Sequence, residues 1–159
     1  QGLSERPRKF QREHFFSKGA DDKFKEIFNR TIQKEYEECI NDENLYSSAE
    51  DKDKDLNYDK WIDNIGNIFL LKADLNLDAK NRSILKKAKK YSEKAEIEGT
   101  KCFMKEKVLK LQELLRTDEN FFEEELRKND AKTELVIRAF KLLIDIRHYK
   151  ILEFFTHRF

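Results

Sequence analysis

One stretch, Asp63 to Lys87 (DNIGNIFLLKADLNLDAKNRSILKK), constrains the fold of this chain more than any other. It holds Gly66, one of only four glycines. It also holds the uncharged apolar run Ile68-Phe69-Leu70-Leu71 and asparagines at 64, 67, 76 and 81. Ile65 to Leu71 is β-branched and aromatic and is closed by a lysine, which predicts a short buried strand. Asp74 to Asn81 predicts a turn entering a helix, because Asp and Asn side chains there can bond free backbone N–H groups. A strand running into a helix with amide side chains at the junction can carry chemistry, provided another part of the chain supplies the partner groups.

The flanking sequence is mostly charged and of helical spacing. Residues 1–9 predict an extended lead-in. The alternation from Phe10 to Phe16 (FQREHFF) predicts a short strand with Glu13 and His14 on opposite faces. Asp21-Asp22 open a helix with the stripe Phe24, Ile27, Phe28, Ile32, Tyr36 and Ile40, acidic residues suiting its positive end. Asn41 to Tyr58 reads as a solvated polar loop, and Tyr58, Trp61, Ile62 and Ile65 as a short helical turn. Ser83 begins a helix through Ile84, Leu85, Ala88 and Tyr91, and Gly99 separates it from a helix carrying Phe103, Val108, Leu111, Leu114 and Leu115. A short helix with Phe121, Phe122 and Leu126 follows. The last and longest helix shows the stripe Leu135, Ala139, Leu142, Leu143, Ile146, Tyr149 and Leu152, expected to face the core.

This pattern predicts an α+β, predominantly helical chain. One proline and four glycines favour long helices over a turn-rich β fold. Thirteen phenylalanines and five tyrosines argue against disorder. The net charge of +1 supplies no bulk attraction to nucleic acid, so such binding needs a local patch. No apolar run approaches the roughly 20 residues that span a bilayer. Cys39 and Cys102 stand alone, against a disulfide framework or a structural zinc site and in keeping with a cytoplasmic setting. The start without methionine predicts a piece of a longer chain.

The histidines are His14, His148 and His157. The last two lie in the terminal helix, where surface or partly buried roles are expected. His14 follows Glu13 at the end of a predicted strand, so an acid–histidine pair stands there. Glu13-His14, the run Gly66-Asn67-Ile68-Phe69-Leu70-Leu71, Asn76, and Lys87 with Tyr91 together resemble the HNH nuclease domain of GmrSD-type, modification-dependent restriction proteins. The resemblance covers about half of the chain directly.

The resemblance implies a small ββα-metal (HNH) unit with additional packed helices at the C-terminus. Residues 10–95 would form that core with a helical and loop insertion, and residues 96–159 a helical subdomain packed on it. It implies a metal-dependent DNA endonuclease, the effector part of a larger restriction or anti-phage defence protein with an NTPase, DNA-sensing domain elsewhere. His14 would be the general base, a role that suits imidazole near neutral pH. Asn67 would brace the loop that orients it. Glu13 and Asn76 would hold a divalent metal, magnesium or manganese, which prefers oxygen donors. Lys86, Lys87, Lys90 and Asn81 would contact DNA. Many such enzymes use two active sites to cut both strands, so a homodimer is compatible with this reading.

Two alternatives stay open. Glu13 stands where the family commonly has Asp, and Phe15-Phe16-Ser17 follow His14 where an aliphatic residue and a proline are usual. A catalytically inactive, nucleic-acid-binding or regulatory copy would tolerate both departures. The other alternative is a helical protein-interaction module that docks through its terminal helix.

Overall fold

The computed structural model describes residues 10–40, 57–75, 83–128 and 130–158. β1 (Gln11–His14) pairs antiparallel with β2 (Ile68–Leu71), with Gln11 opposite Leu71 and His14 opposite Ile68. The strand predicted from Ile65 splits in two. Ile65–Asn67 forms a 3-10 turn, and only Ile68 onward is extended. Along β2, Phe69 and Leu71 are buried while Leu70 is exposed, the alternation expected of a sheet covered on one face.

Helices supply the rest: α1 (Asp22–Ile40), α2 (Tyr58–Trp61), α3 (Ile84–Lys94), α4 (Glu98–Phe103), α5 (Leu109–Leu114), α6 (Phe121–Glu125) and α7 (Asp130–Arg158). A π-helical turn, Met104–Val108, joins α4 to α5 and drives both of its end residues into the core. The α1 stripe is buried as expected at Phe24, Ile27, Phe28, Ile32 and Tyr36. Asn57 and Ser83 cap α2 and α3 by accepting from Lys60 and Lys86 N–H. Gly99 does not separate the helices. The chain turns extended at Ala95, and Gly99 sits inside α4 with open space around it.

The terminal helix departs furthest from expectation. Its core face is Val136, Ile137, Phe140 and Ile144. Leu135, Leu142, Ile146, Tyr149 and Leu152, predicted to be inside, are exposed. α7 is apolar on two opposite faces, and only one of them meets the body. One hydrophobic cluster draws on β2, α1, α3, the π turn, α6 and α7 together, so residues on both sides of position 95 share a core. No helix among the described residues is long and apolar enough to cross a membrane.

Candidate active site

The site is built around the loop that leaves β1. Phe15 and Phe16 are buried, which draws the backbone of residues 14–17 into the interior, where its carbonyls must find donors. Each of the four finds a side chain. Lys87 Nζ donates to His14 O at 2.8 Å and to Phe15 O at 3.2 Å. Asn67 Nδ2 donates to Phe16 O at 3.0 Å, and the Tyr58 hydroxyl donates to Ser17 O at 2.6 Å. The loop is therefore held from α2, the 3-10 turn and α3 at once.

Asn67 does more than satisfy one carbonyl. Its Oδ1 accepts from Phe16 N–H at 2.7 Å, its own backbone oxygen accepts from Phe15 N–H at 2.9 Å, and its Nδ2 also reaches Ile62 O at 2.9 Å. Phe16 lies two residues after His14, and Ile62 lies one residue before Asp63. A fully buried amide thus ties together the two segments that carry His14 and Asp63. Their side chains meet, with His14 Nε2 2.9 Å from Asp63 Oδ1. An ionised carboxylate can only accept, so Nε2 carries the proton and Nδ1 is left with the lone pair in the neutral ring. A carboxylate bonded to one ring nitrogen of a histidine is an arrangement that general-base chemistry can use.

Lys87 was expected to contact the DNA backbone, and the structure corrects this. Its side chain is fully buried, its Nζ also donates to Ser17 Oγ at 2.6 Å, and Glu13 Oε1 lies 3.6 Å away. A phosphate cannot reach it. Burial pushes the Lys87 ammonium down to about 8, with Glu13 working in the opposite direction. One turn along α3, the Tyr91 hydroxyl is buried with no hydrogen-bond partner among the described residues. Burial, and after it the Glu13 charge, raise its pKa. Glu13 and His14 do point to opposite faces of β1, the first toward α3 and the second toward Asp63.

Arg147 of α7 closes the other side. Its Nη1 donates to Ile65 O, Gly66 O and Ile68 O at 3.2, 2.8 and 3.1 Å, and the guanidinium stacks 3.8 Å from the centre of the Phe69 ring. Burial lowers its pKa to about 10. The turn packs so tightly on α7 that a Cβ on Gly66 would lie 2.4 Å from Ile144 O.

The remaining expected residues divide. Lys86 pairs with Glu123 at 3.1 Å, and neighbouring Lys89 with Glu119 at 3.6 Å, so the α3 lysines face acidic partners. Lys90 is half-buried in the same groove. Asn76 and Asn81 lie outside the described residues. His157 is exposed beside Glu153, and Cys39 and Cys102 are free thiols. Among the described residues no group of three or more His, Cys, Asp or Glu side chains could hold a metal ion. Glu13, the expected carboxylate ligand, is turned to the buried Lys87. Its expected companion ligand, Asn76, lies outside the described residues.

Sequence reasoning missed Asp63 and Arg147 as site residues. Asp63 offered one signal, an acid four residues before Asn67 in the same turn. Arg147 offered none beyond its place in a long helix. No protein-family model, curated protein or solved structure matches the chain.

Proposed function

We propose that this chain is a phosphodiester-hydrolysing domain of HNH type, acting on DNA as part of a larger restriction or anti-phage defence protein. The observation that carries the reading is the amide of Asn67, bonded to Phe16 and Ile62 so that His14 and Asp63 meet at 2.9 Å. In this mechanism His14 Nδ1 takes a proton from water as the oxygen attacks phosphorus. The P–O bond to the leaving sugar oxygen breaks, and that oxygen is protonated in turn. Asp63 holds the ring and stabilises the imidazolium that forms. His14 is partly exposed at the end of β1, where a backbone phosphate can approach.

A second reading, an inactive copy that keeps the fold, is favoured by one observation: the Glu13 carboxylate is turned to a buried ammonium. A supercoiled-plasmid nicking assay separates the two. The native chain, His14→Ala and Asp63→Asn are compared with magnesium, with manganese and with neither. The expected result is cleavage that His14→Ala reduces by about 10²-fold or more, as for loss of a general base. Cleavage indifferent to His14, or no cleavage under any condition, overturns the hydrolase reading. DNA binding that weakens steeply with salt, without cleavage, supports the inactive copy.

A further inference from the structure

A groove runs between the π-helical turn and the second half of α7. Its α7 wall is Leu143, Ile146, Arg147, Lys150, Ile151 and Phe154, which fall at i, i+3, i+4, i+7, i+8 and i+11 on one helical face. That face is about 16 Å long, or three turns. Phe103 and Lys107 form the opposite wall. Five of these eight side chains are apolar, the other three are cations, and no acid lines the groove. The cations set it apart from the rest of the surface. Lys86 of α3 and Lys141 of α7 face carboxylates, whereas Lys107, Arg147 and Lys150 make no ion pair among the described residues. Arg147 lies against the rings of Phe69 and Phe103, 3.8 and 5.5 Å from their centres. Its pKa falls through burial alone, because no acid stands beside it to offset the lost hydration. An anion entering the groove would supply the missing counter-charge.

We infer that this groove receives an acidic amphipathic helix of a partner protein, its apolar side on Phe103, Leu143 and Ile151 and its carboxylates on Lys107, Arg147 and Lys150. Charge and shape together select this occupant. An apolar groove three turns long between two helical walls is the form in which amphipathic helices dock, through anchors at i, i+3, i+4 and i+7. The cations on both walls require acids flanking those anchors. A small amphiphile fits less well, because such ligands bury most of their surface, whereas Ile146 and Phe154 on this wall are 44% and 51% exposed. Duplex DNA meets surfaces that are more polar and more cationic than one with five apolar side chains in eight. A second copy packed symmetrically would set the same three cations against one another. The inference does not depend on the hydrolase reading.

Fluorescence anisotropy with two labelled peptides tests the inference. Both are amphipathic helices of about four turns with leucines at i, i+3, i+4 and i+7. One carries glutamates beside the leucines and the other carries lysines. The native chain is expected to bind the glutamate peptide at micromolar concentration, less tightly as salt is raised. It is expected to bind the lysine peptide about tenfold more weakly or less, the effect of two or three exposed ion pairs. Lys107→Glu/Lys150→Glu is expected to invert that preference with an unchanged circular dichroism spectrum, since both side chains are exposed. Phe154→Ser is expected to weaken the glutamate peptide without inverting the preference. No binding, equal affinity for the two peptides, or a preference that survives the double reversal would each overturn the inference. So would displacement of the glutamate peptide by a duplex oligonucleotide, which makes nucleic acid the occupant. A mass that rises with concentration in the native chain but not in the double variant makes the occupant a second copy, and overturns it as well.

Discussion

Replacing Lys87 by Met should be among the most damaging single changes in the molecule, although it deletes one charge from a highly charged chain. Methionine matches the stem in length and keeps the packing of α3. The charge is what disappears, and with it the donor to His14 O, Phe15 O and Ser17 Oγ and the counter-ion of Glu13. Removing one member of a buried pair leaves its partner uncompensated, which costs about 3–5 kcal/mol. For a chain of this size each kcal/mol moves the melting temperature by about 2–4 °C, so a fall on the order of 6–20 °C is expected by calorimetry. The double variant Lys87→Met/Glu13→Leu separates the two contributions. It also removes the stranded carboxylate and leaves only the three oxygen acceptors unpaired, a residual of about 1–3 kcal/mol for each one that stays buried. The two changes together should therefore cost less than the sum of the singles, measured as a double-mutant cycle in urea. If Lys87→Met costs under about 1 kcal/mol, or if the singles add, the ammonium is not what holds the loop and the reasoning fails.

Two further outcomes follow from the same geometry. Lys87 titrates near 8 when folded against about 10.4 when unfolded, so between these values the unfolded chain binds more protons and stability rises with pH. The expected gain is about 2–3 kcal/mol across that window, with none from this group below pH 8. It is measured as the difference in urea midpoints between the native chain and Lys87→Met, and equal pH slopes would refute it. Gly66→Ala forces a methyl against Ile144 O and the His148 backbone, which should cost about 3 kcal/mol or more by thermal melting and disturb the Asn67 bonds. A neutral Gly66→Ala would mean that the turn does not sit against α7 as described.

Much of the scaffold was legible because local rules dominate there. The α1 stripe, the start of α3 at Ser83 and the two short strands followed from spacing. Asn67, which the resemblance made a brace for the loop that orients His14, is bonded to Phe16 of that loop and also to Ile62, an attachment that spacing did not reveal. Lys87 was misread by residue type. Ile84, Lys87, Ala88 and Tyr91 fall at i, i+3, i+4 and i+7, so its position on the buried stripe was present in the spacing. A lysine at such a position is rare enough that charge overrode periodicity. α7 was misread for the opposite reason. Both of its faces are apolar, and periodicity alone cannot say which one the body covers. Asp63 and Arg147 were out of reach because their partners lie 49 and up to 82 residues away, and pairing at that distance is a property of the fold.

Arg147 also sets an order of events. The three carbonyls it binds lie about eighty residues earlier in the chain, and a two-stranded hairpin is marginal on its own. During synthesis the strands and the histidine emerge well before the guanidinium that closes the turn beneath them, and contacts so distant in sequence form slowly. The turn between Asp63 and β2 thus lacks its donor until α7 has been made. A nascent chain that stops short of α7 carries both strands and the turn, with three of the turn's carbonyls still without the guanidinium.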